Sequence, residues 1–414
     1  MKYRLLIILA ALAIVSCGKE NTSDSSVETH TYVLSQKRSP KRGVAQNSWA
    51  LPKEDLALLG PAMSWTYNWS STALSDAFSA ALKANSVDYC PMAWNADYNE
   101  AGLRAADEWI LGFNEPNLTD QAHMTPAQAA EHWPKLVAIA KASGKKLVSP
   151  AMNYGTLEGY HDPIKWLDEF FTQPGCSLDD IDAIAIHCYM PSSGAVKNFI
   201  ELFRKYGKPI WLTEFCNGNS NNISEAAQMD YMSNTLNMLE QNDLVERYAW
   251  FMGRSGSFNS KWHNSLLQAS QPYDLTDLGK VFLNISTFDD SIVYEKGDVI
   301  PAEQYCYADG LFSLAPSTDG GVLDVTAFKK NCEVRYHLNM PSAGSYTLKL
   351  RFQTFMESSI SVGFEGTMKT LTLQNTEHEW KTGSVKLDLP AGKSDLVIKG
   401  DSAAAIMLNW MIIE

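Results

Sequence analysis

The chain has 414 residues, 45% hydrophobic and 11% aromatic, enough to bury more than one core and too apolar for a disordered or fibrous protein. Lys+Arg 34 against Asp+Glu 47 gives a net charge of -13, so no basic face is present to neutralise phosphates and nucleic acid is excluded as a partner. The 12 Trp and 17 Tyr instead suit a neutral polar ligand, which flat amphipathic rings can hold without charge.

At the N-terminus Lys2 and Arg4 precede an apolar run from Leu5 to Val15, too short to span a bilayer but suited to the core of a signal peptide over residues 1–16. The run ends Ile14-Val15-Ser16-Cys17, which resembles a bacterial lipobox, with Cys17 the expected lipidation site. Residues 17–40 are polar and read as a flexible tether. The expectation is an exported chain, lipid-anchored to the bacterial outer membrane, touching membrane only through that anchor and acting as a monomer.

From residue 41 to about 290 short β-branched or aromatic runs alternate with longer amphipathic ones, the rhythm of β/α units. Eight strands are predicted: Gly43 to Trp49, Met63 to Trp69, Asp88 to Trp94, Trp109 to Glu115, Lys146 to Met152, Ala183 to Tyr189, Pro209 to Phe215 and Arg247 to Met252. Thr125-Pro126 starts a helix that runs to Ser143 and stops at Gly144, with Pro134 expected to kink it. Met229, Met232, Leu236 and Leu239 form one face of another helix and read as core. Eight repeats in this length fit a (β/α)8 TIM barrel, whose functional groups lie at the C-terminal ends of the strands.

Past a bridge at Asp289 to Asp298 the helical period disappears. Residues 300–414 carry short alternating runs such as Ser345-Tyr-Thr-Leu-Lys-Leu-Arg-Phe, with turn signals like Pro390-Ala-Gly, and read as a β-sandwich of the jelly-roll kind. Beyond Cys17 the six cysteines lack any C-x-x-C spacing, which excludes a zinc ribbon. An exported chain permits disulfides, and Cys306 with Cys332 is the favoured pair because both fall in one region.

Two carboxylates carry the chemistry. Glu115 ends the fourth strand in Gly112-Phe113-Asn114-Glu115-Pro116-Asn117, and Glu214 ends the seventh in Trp211-Leu212-Thr213-Glu214-Phe215, where an apolar strand would not otherwise place a charge. Glutamates on those two strands share one cleft, as retaining glycoside hydrolysis requires: ~5–5.5 Å between carboxyls, one an acid and one a nucleophile. Their mutual field should hold one of them protonated, with Glu115 as acid/base and Glu214 as nucleophile. Trp211, of opposite strand parity to Glu214, is expected to face the helices. No H-E-x-x-H, P-loop or G-x-S-x-G is present, and the chemistry calls for no metal or organic cofactor.

The strings Tyr67-Asn68-Trp69-Ser70, Pro91-Met92-Ala93-Trp94, Gly112 to Asn117, Ser149-Pro150-Ala151, His187-Cys188-Tyr189 and Thr213-Glu214-Phe215 together resemble glycoside hydrolase family 128, over about residues 41 to 285. That resemblance implies retaining hydrolysis of β-1,3-glucan, polymer or oligosaccharide; endo and exo action both stay open, with endo action the expectation. It also implies that Asn114 binds the sugar 2-hydroxyl while His187 and Tyr189 line its subsite; the alternative for the last two is ordinary barrel filling. Trp69, Trp94 and Trp250 are candidate sugar platforms, packing being the alternative.

Residues 300–414 are similar in pattern to family 6 and family 35 carbohydrate-binding modules, with Trp380, Tyr336 and Asn409 as candidate contacts. Those modules hold a structural calcium, but Pro301 and Asn409 stand where they carry acidic residues. The alternative is a sandwich that only packs on the barrel. Two other functions stay open at this level: a retaining hydrolase of another β-glycan, and a surface glycan-binding protein that does not cut.

Overall fold

The computed structural model describes residues 36–47, 51–256, 259–271 and 273–414. The signal-like run, Cys17 and the tether up to residue 35 lie outside the described residues. No helix among the described residues is long and apolar enough to cross a membrane.

Eight short strands appear in order: β1 (Arg42–Ala45), β2 (Trp65–Tyr67), β3 (Asp88–Tyr89), β4 (Trp109–Ile110), β5 (Lys146–Leu147), β6 (Ile184–Cys188), β7 (Ile210–Phe215) and β8 (Val245–Phe251). Helices alternate with them: α1 (Pro52–Leu59), α2 (Asp76–Ala84), α3 (Glu100–Arg104), α4 (Pro126–Ser143), α5 (Pro163–Phe170), α6 (Ser193–Leu202) and α7 (Glu225–Glu240), then α8 (Asn259–Trp262) and α9 (Asp277–Asn284) after β8. Local chemistry explains the boundaries. In α4 the Thr125 hydroxyl and the Gln128 side chain cap each other's backbone, and Gly144 ends the helix at φ 65°, a conformation that favours glycine.

All pairing among these strands is parallel. One sheet runs β3-β2-β1-β8-β7-β6, and β4 pairs β5 separately. Isolated parallel bridges link that pair outward on both sides, Met92 to Leu111 past β3 and Val148 to Ala183 ahead of β6. Side chains from the strands and their immediate continuations form one cluster, including Ala45, Trp65, Cys90, Trp109, Leu111, Val148, Ala185, Trp211 and Ala249. Trp211 therefore lies among strand side chains, its ring 5.1 Å from Trp65 and 4.5 Å from Trp109, and not against the helices as expected. The reason is a register shift described below.

The C-terminal region is built of antiparallel strands: β9 (Val299–Pro301), β10 (Tyr307–Asp309), β11 (Ser313–Pro316), β12 (Leu323–Phe328), β13 (Glu333–Met340), β14 (Gly344–Thr354), β15 (Ser358–Phe364), β16 (Thr367–Leu373), β17 (Lys381–Leu389), β18 (Gly392–Gly400) and β19 (Ile406–Ile413). They form two sheets, β10-β13-β18-β15-β16 and β11-β12-β19-β14-β17, with β9 on β19. Along β13 buried and half-buried residues alternate without a break, so one face carries Val334, Tyr336, Leu338 and Met340 inward. Tyr336 and Asn409 are buried: the Tyr336 hydroxyl donates to the Ala302 carbonyl at 2.7 Å, and the Asn409 amide donates to Asp324 Oδ1 at 2.6 Å. Neither offers a surface to a sugar, which corrects two of the three expected contacts.

This region docks on α7 and α9 through polar contacts. Tyr305 donates to Asn237 Oδ1 at 2.8 Å, Leu314 N to Ser233 Oγ at 3.0 Å and Gln304 Nε2 to the Asn284 carbonyl at 3.0 Å. Residues 36–40, expected in the tether, belong to the fold: Arg38 donates to the carbonyls of Gly60, Met63, Asn85 and Ser86, and Ser39 is buried on Glu240. The six described cysteines are free. Cys306 Sγ faces the Arg335 carbonyl and Cys332 Sγ the Leu311 carbonyl, so the expected bridge between them is absent.

Candidate active site

The site begins with a fault in a strand. Along β6 and β7, Ile186 pairs Leu212 but His187 pairs Glu214, so Thr213 is an extra residue with no partner. Such a bulge reverses side-chain parity beyond it. Trp211 and Glu214, three apart, would point to opposite faces of a regular strand, yet both point inward. Thr213 is held by the Tyr67 hydroxyl, which donates to its carbonyl at 3.1 Å.

The fourth strand changes parity as well. Leu111 lies in the strand cluster, whereas Phe113 packs edge-on to Trp133 of α4 at 5.5 Å. Gly112 allows the crossing, because a Cβ there would sit 2.8 Å from the Ser149 backbone. Glu115 follows at φ 44° and Trp69 at φ 55°, left-handed conformations costing about 1–3 kcal/mol each for non-glycine residues. The Glu115 N–H to the Ala151 carbonyl at 3.0 Å holds the first in place.

These irregularities bring three titratable groups together. His187 Nδ1 lies 2.9 Å from Glu115 Oε1 and 3.4 Å from Glu214 Oε1, and the three groups present donor atoms all within 4.8 Å of one another. Glu214 accepts hydrogen bonds from Trp69 Nε1 at 2.6 Å, from Tyr67 at 3.2 Å and from Tyr189. Glu115 Oε1 accepts from Asn153 Nδ2 at 3.0 Å, while its Oε2 takes no hydrogen bond among the described residues. Asn117, the last residue of the fourth-strand motif, donates to the Asn153 carbonyl at 2.7 Å and so holds the loop that carries the Asn153 amide.

The electrostatics follow from burial and these partners. Burial pushes the Glu214 carboxyl up; His187 pulls it down, the Glu115 charge raises it again, the Tyr189 and Trp69 donors lower it, and the net is upward. Burial also raises Glu115, but the His187 charge and the hydrogen bonds from His187 and Asn153 outweigh it and leave it below its ordinary value. Burial lowers His187, yet the facing charges of Glu214 and Glu115 raise it overall. Burial and the Glu214 charge lift the phenols of Tyr67 and Tyr189 far above their usual range, so both stay protonated donors.

The expected site residues fall into two groups. Glu115, His187, Tyr189, Glu214 and Trp69 converge through their side chains, whereas Asn114, next to Glu115, donates by Nδ2 to Gln121 Oε1 at 3.1 Å and by its N–H to the Trp94 carbonyl at 2.9 Å, and Trp94 packs against the strand cluster. Trp69 holds the Glu214 carboxylate by its indole N–H, a role beyond that of a platform. Trp250 does not take part: it is fully buried, its ring 5.3 Å from Phe215 and 6.2 Å from Tyr231 of α7, with Nε1 donating to the Asn264 carbonyl at 2.8 Å. The adjacent Phe251 points the other way, to Trp69 at 5.9 Å, Tyr189 at 5.5 Å and Trp262 at 6.4 Å. Tyr67, Asn153, Phe251 and Trp262 are the lining residues that sequence reasoning missed.

A model for the glycosyl hydrolase catalytic core matches residues 43–282, more than half of the chain. The chain belongs to the glycosyl hydrolase catalytic core family. Family membership makes it a glycoside hydrolase, and two carboxylates around one histidine are the groups such a cleavage would call on. Among solved structures the chain is similar to an endo-β-1,3-glucanase of glycoside hydrolase family 128, subgroup II, from Pseudomonas viridiflava: 38% identity over 59% of this chain and 98% of that one, TM-score 0.53. A second subgroup II endo-β-1,3-glucanase, from Sorangium cellulosum, is 33% identical over 59% and 97%, TM-score 0.51. The Alkali-sensitive linkage protein 1 of Schizosaccharomyces pombe is 29% identical over 259 residues, 59% of this chain and 45% of that protein's length.

Proposed function

We propose that this protein cleaves β-1,3-glucan with retention at the anomeric carbon, acting within the polymer. One observation carries the reading: Glu115 and Glu214 present oxygens within 4.8 Å of each other, near the ~5–5.5 Å of retaining enzymes and short of the ~6.5–9.5 Å that an inverting water needs. The substrate rests on the two family 128 relatives named above, both endo-β-1,3-glucanases.

In the first step a Glu214 oxygen attacks the anomeric carbon while Glu115 Oε2 gives a proton to the departing glycosidic oxygen. In the second, Glu115 takes a proton from water as that water displaces Glu214 from the sugar. The free Oε2 suits the acid, and three donors on Glu214 suit a carboxylate that must stay oriented and be regenerated. The resting electrostatics favour the opposite order, with Glu214 raised and Glu115 lowered. His187 reconciles the two. It faces Glu115 Oε1 through Nδ1, while its buried Nε2 has no partner among the described residues, so transfer of the Nδ1 proton to Oε1 removes a buried ion pair, and a turn of the carboxyl that carries this proton to the sugar side arms the acid. Asn114 Oδ1, likewise unpartnered, is the acceptor for the sugar 2-hydroxyl, and Tyr189 and Phe251, 5.5 Å apart, supply apolar walls.

The same proposal includes a closed (β/α)8 barrel, in which the bridges Met92 to Leu111 and Val148 to Ala183 complete the ring. It also includes a C-terminal β-sandwich, with Trp380 the one remaining candidate sugar contact, and a lipid anchor at Cys17. Reducing ends released from linear β-1,3-glucan, mixed-linkage glucan, cellulose and mannan test the substrate. Release from β-1,3-glucan alone, lost in Glu115→Gln and Glu214→Gln, is expected; retardation by glucan without release would replace the enzyme by a glycan-binding protein.

A further inference from the structure

We infer that Cys306, His337 and Asp395 form a metal-ion site on the C-terminal sheets, with the sulfur, imidazole and carboxylate donors that suit Zn²⁺. His337 on β13 and Asp395 on β18 are direct cross-strand partners, so their side chains share a face. Cys306, just ahead of β10, is brought beside them by its N–H to the Arg335 carbonyl at 2.8 Å. The three donor atoms lie within 4.8 Å of one another. Cys306 Sγ is 3.6 Å from His337 Nδ1, which matches the ~3.5 Å sulfur–nitrogen edge of a tetrahedron with Zn–S ~2.3 Å and Zn–N ~2.0 Å. Asp395 Oδ1, 2.7 Å from Nδ1, needs to move out by about half an ångström to reach the ~3.3 Å oxygen–nitrogen edge of a zinc tetrahedron, and its side chain is 42% exposed.

A second, independent feature points the same way. Asp290 Oδ1 lies 3.4 Å from the other ring nitrogen, Nε2, of His337. A carboxylate on the far nitrogen is the outer partner that orients metal-binding histidines and fixes the proton on the nitrogen away from the metal. The sulfur donor argues against calcium or magnesium, which take oxygen. Bound metal would tie together the bridge at Asp290, the segment before β10, and strands β13 and β18.

The full chain, stripped of metal and titrated with Co²⁺, tests the site. One equivalent should produce a thiolate-to-cobalt charge-transfer band that Zn²⁺ then displaces. The other donor group, Glu115, His187 and Glu214, contains no sulfur and cannot give that band. Cys306→Ser should abolish it, and Asp290→Asn should keep it while weakening Co²⁺ binding ~10–100-fold. In the unaltered chain, Zn²⁺ should slow maleimide labelling of Cys306, read by peptide mapping. Absence of the band, its survival in Cys306→Ser, or labelling indifferent to Zn²⁺ would each overturn the site.

Discussion

The two halves of the molecule treat the strand differently. In the C-terminal sheets β13 pairs with β18 over eight consecutive residue pairs without a shift and with alternating burial, and the two shifts elsewhere, at Val325/Phe328 and Leu350/Phe352, fall among buried apolar residues. Around the carboxylates the ladder is faulted: β7 carries an extra residue at Thr213, the fourth strand swaps faces at Gly112, and Trp69 and Glu115 are left-handed. Regular alternation fills a core efficiently but cannot deliver two charged side chains and a histidine to one point. Each fault costs pairing or backbone strain, and each turns a group toward the cleft.

Ways to break this comparison start with the carboxylates. Glu115→Gln and Glu214→Gln should each lower kcat on β-1,3-glucan by ~10³-fold or more; melting temperature should hold or rise in Glu214→Gln, whose charge burial disfavours, and fall in Glu115→Gln, whose charge His187 stabilises. A fold that collapsed instead would make the pair structural. Next comes the donor cage. Trp69→Phe keeps a ring but removes the N–H on Glu214, and a hydrogen bond to a charged group is worth about 1.5–3 kcal/mol, so kcat/KM should fall ~10–100-fold. Tyr189→Phe removes a donor that lowers the Glu214 carboxyl. The acid limb of the pH–rate profile, which requires ionised Glu214, should therefore move to higher pH; a limb that stays put would remove Glu214 from the nucleophile role.

The C-terminal half makes a different prediction. Glu303, fully buried near Asp324, is pushed up to about 8 by burial, so the folded state keeps its proton long after the unfolded chain has lost it. Its stability contribution is complete below the ordinary glutamate range and is lost as pH rises toward 8, by about 1.4 kcal/mol per unit. Glu303→Gln should flatten the decline in melting temperature between pH 5 and pH 8; an equal slope in both proteins would place the proton elsewhere. The smallest effect belongs to Trp250→Phe, which should cost about 1–3 kcal/mol of stability from lost packing and leave KM unchanged.

Much of this was legible because its signals are local. The α4 caps at Thr125 and Gly144 are read from single residues, the eight strands from short β-branched runs, and Glu115 and Glu214 from charges at the ends of apolar segments. What failed depended on counting. Parity carried from Glu214 back to Trp211 assumes a strand without faults, and nothing in Leu212-Thr213-Glu214 marks Thr213 as the extra residue. Trp250 attracted attention as the larger ring, whereas the neighbouring Phe251 occupies the inward position. Asn153 and residues 36–40 act through partners far along the chain, Glu115 and the turn carbonyls from Gly60 to Ser86, which no local pattern reveals.

The stereochemistry of the first product tests the central claim most directly. Proton NMR of linear β-1,3-glucan digested with the full chain should show the new reducing end appearing first as the β-anomer, then mutarotating, since two displacements at a carboxylate pair this close return the starting configuration. Initial appearance of the α-anomer would mean single displacement by water, and would contradict Glu214 as the attacking group.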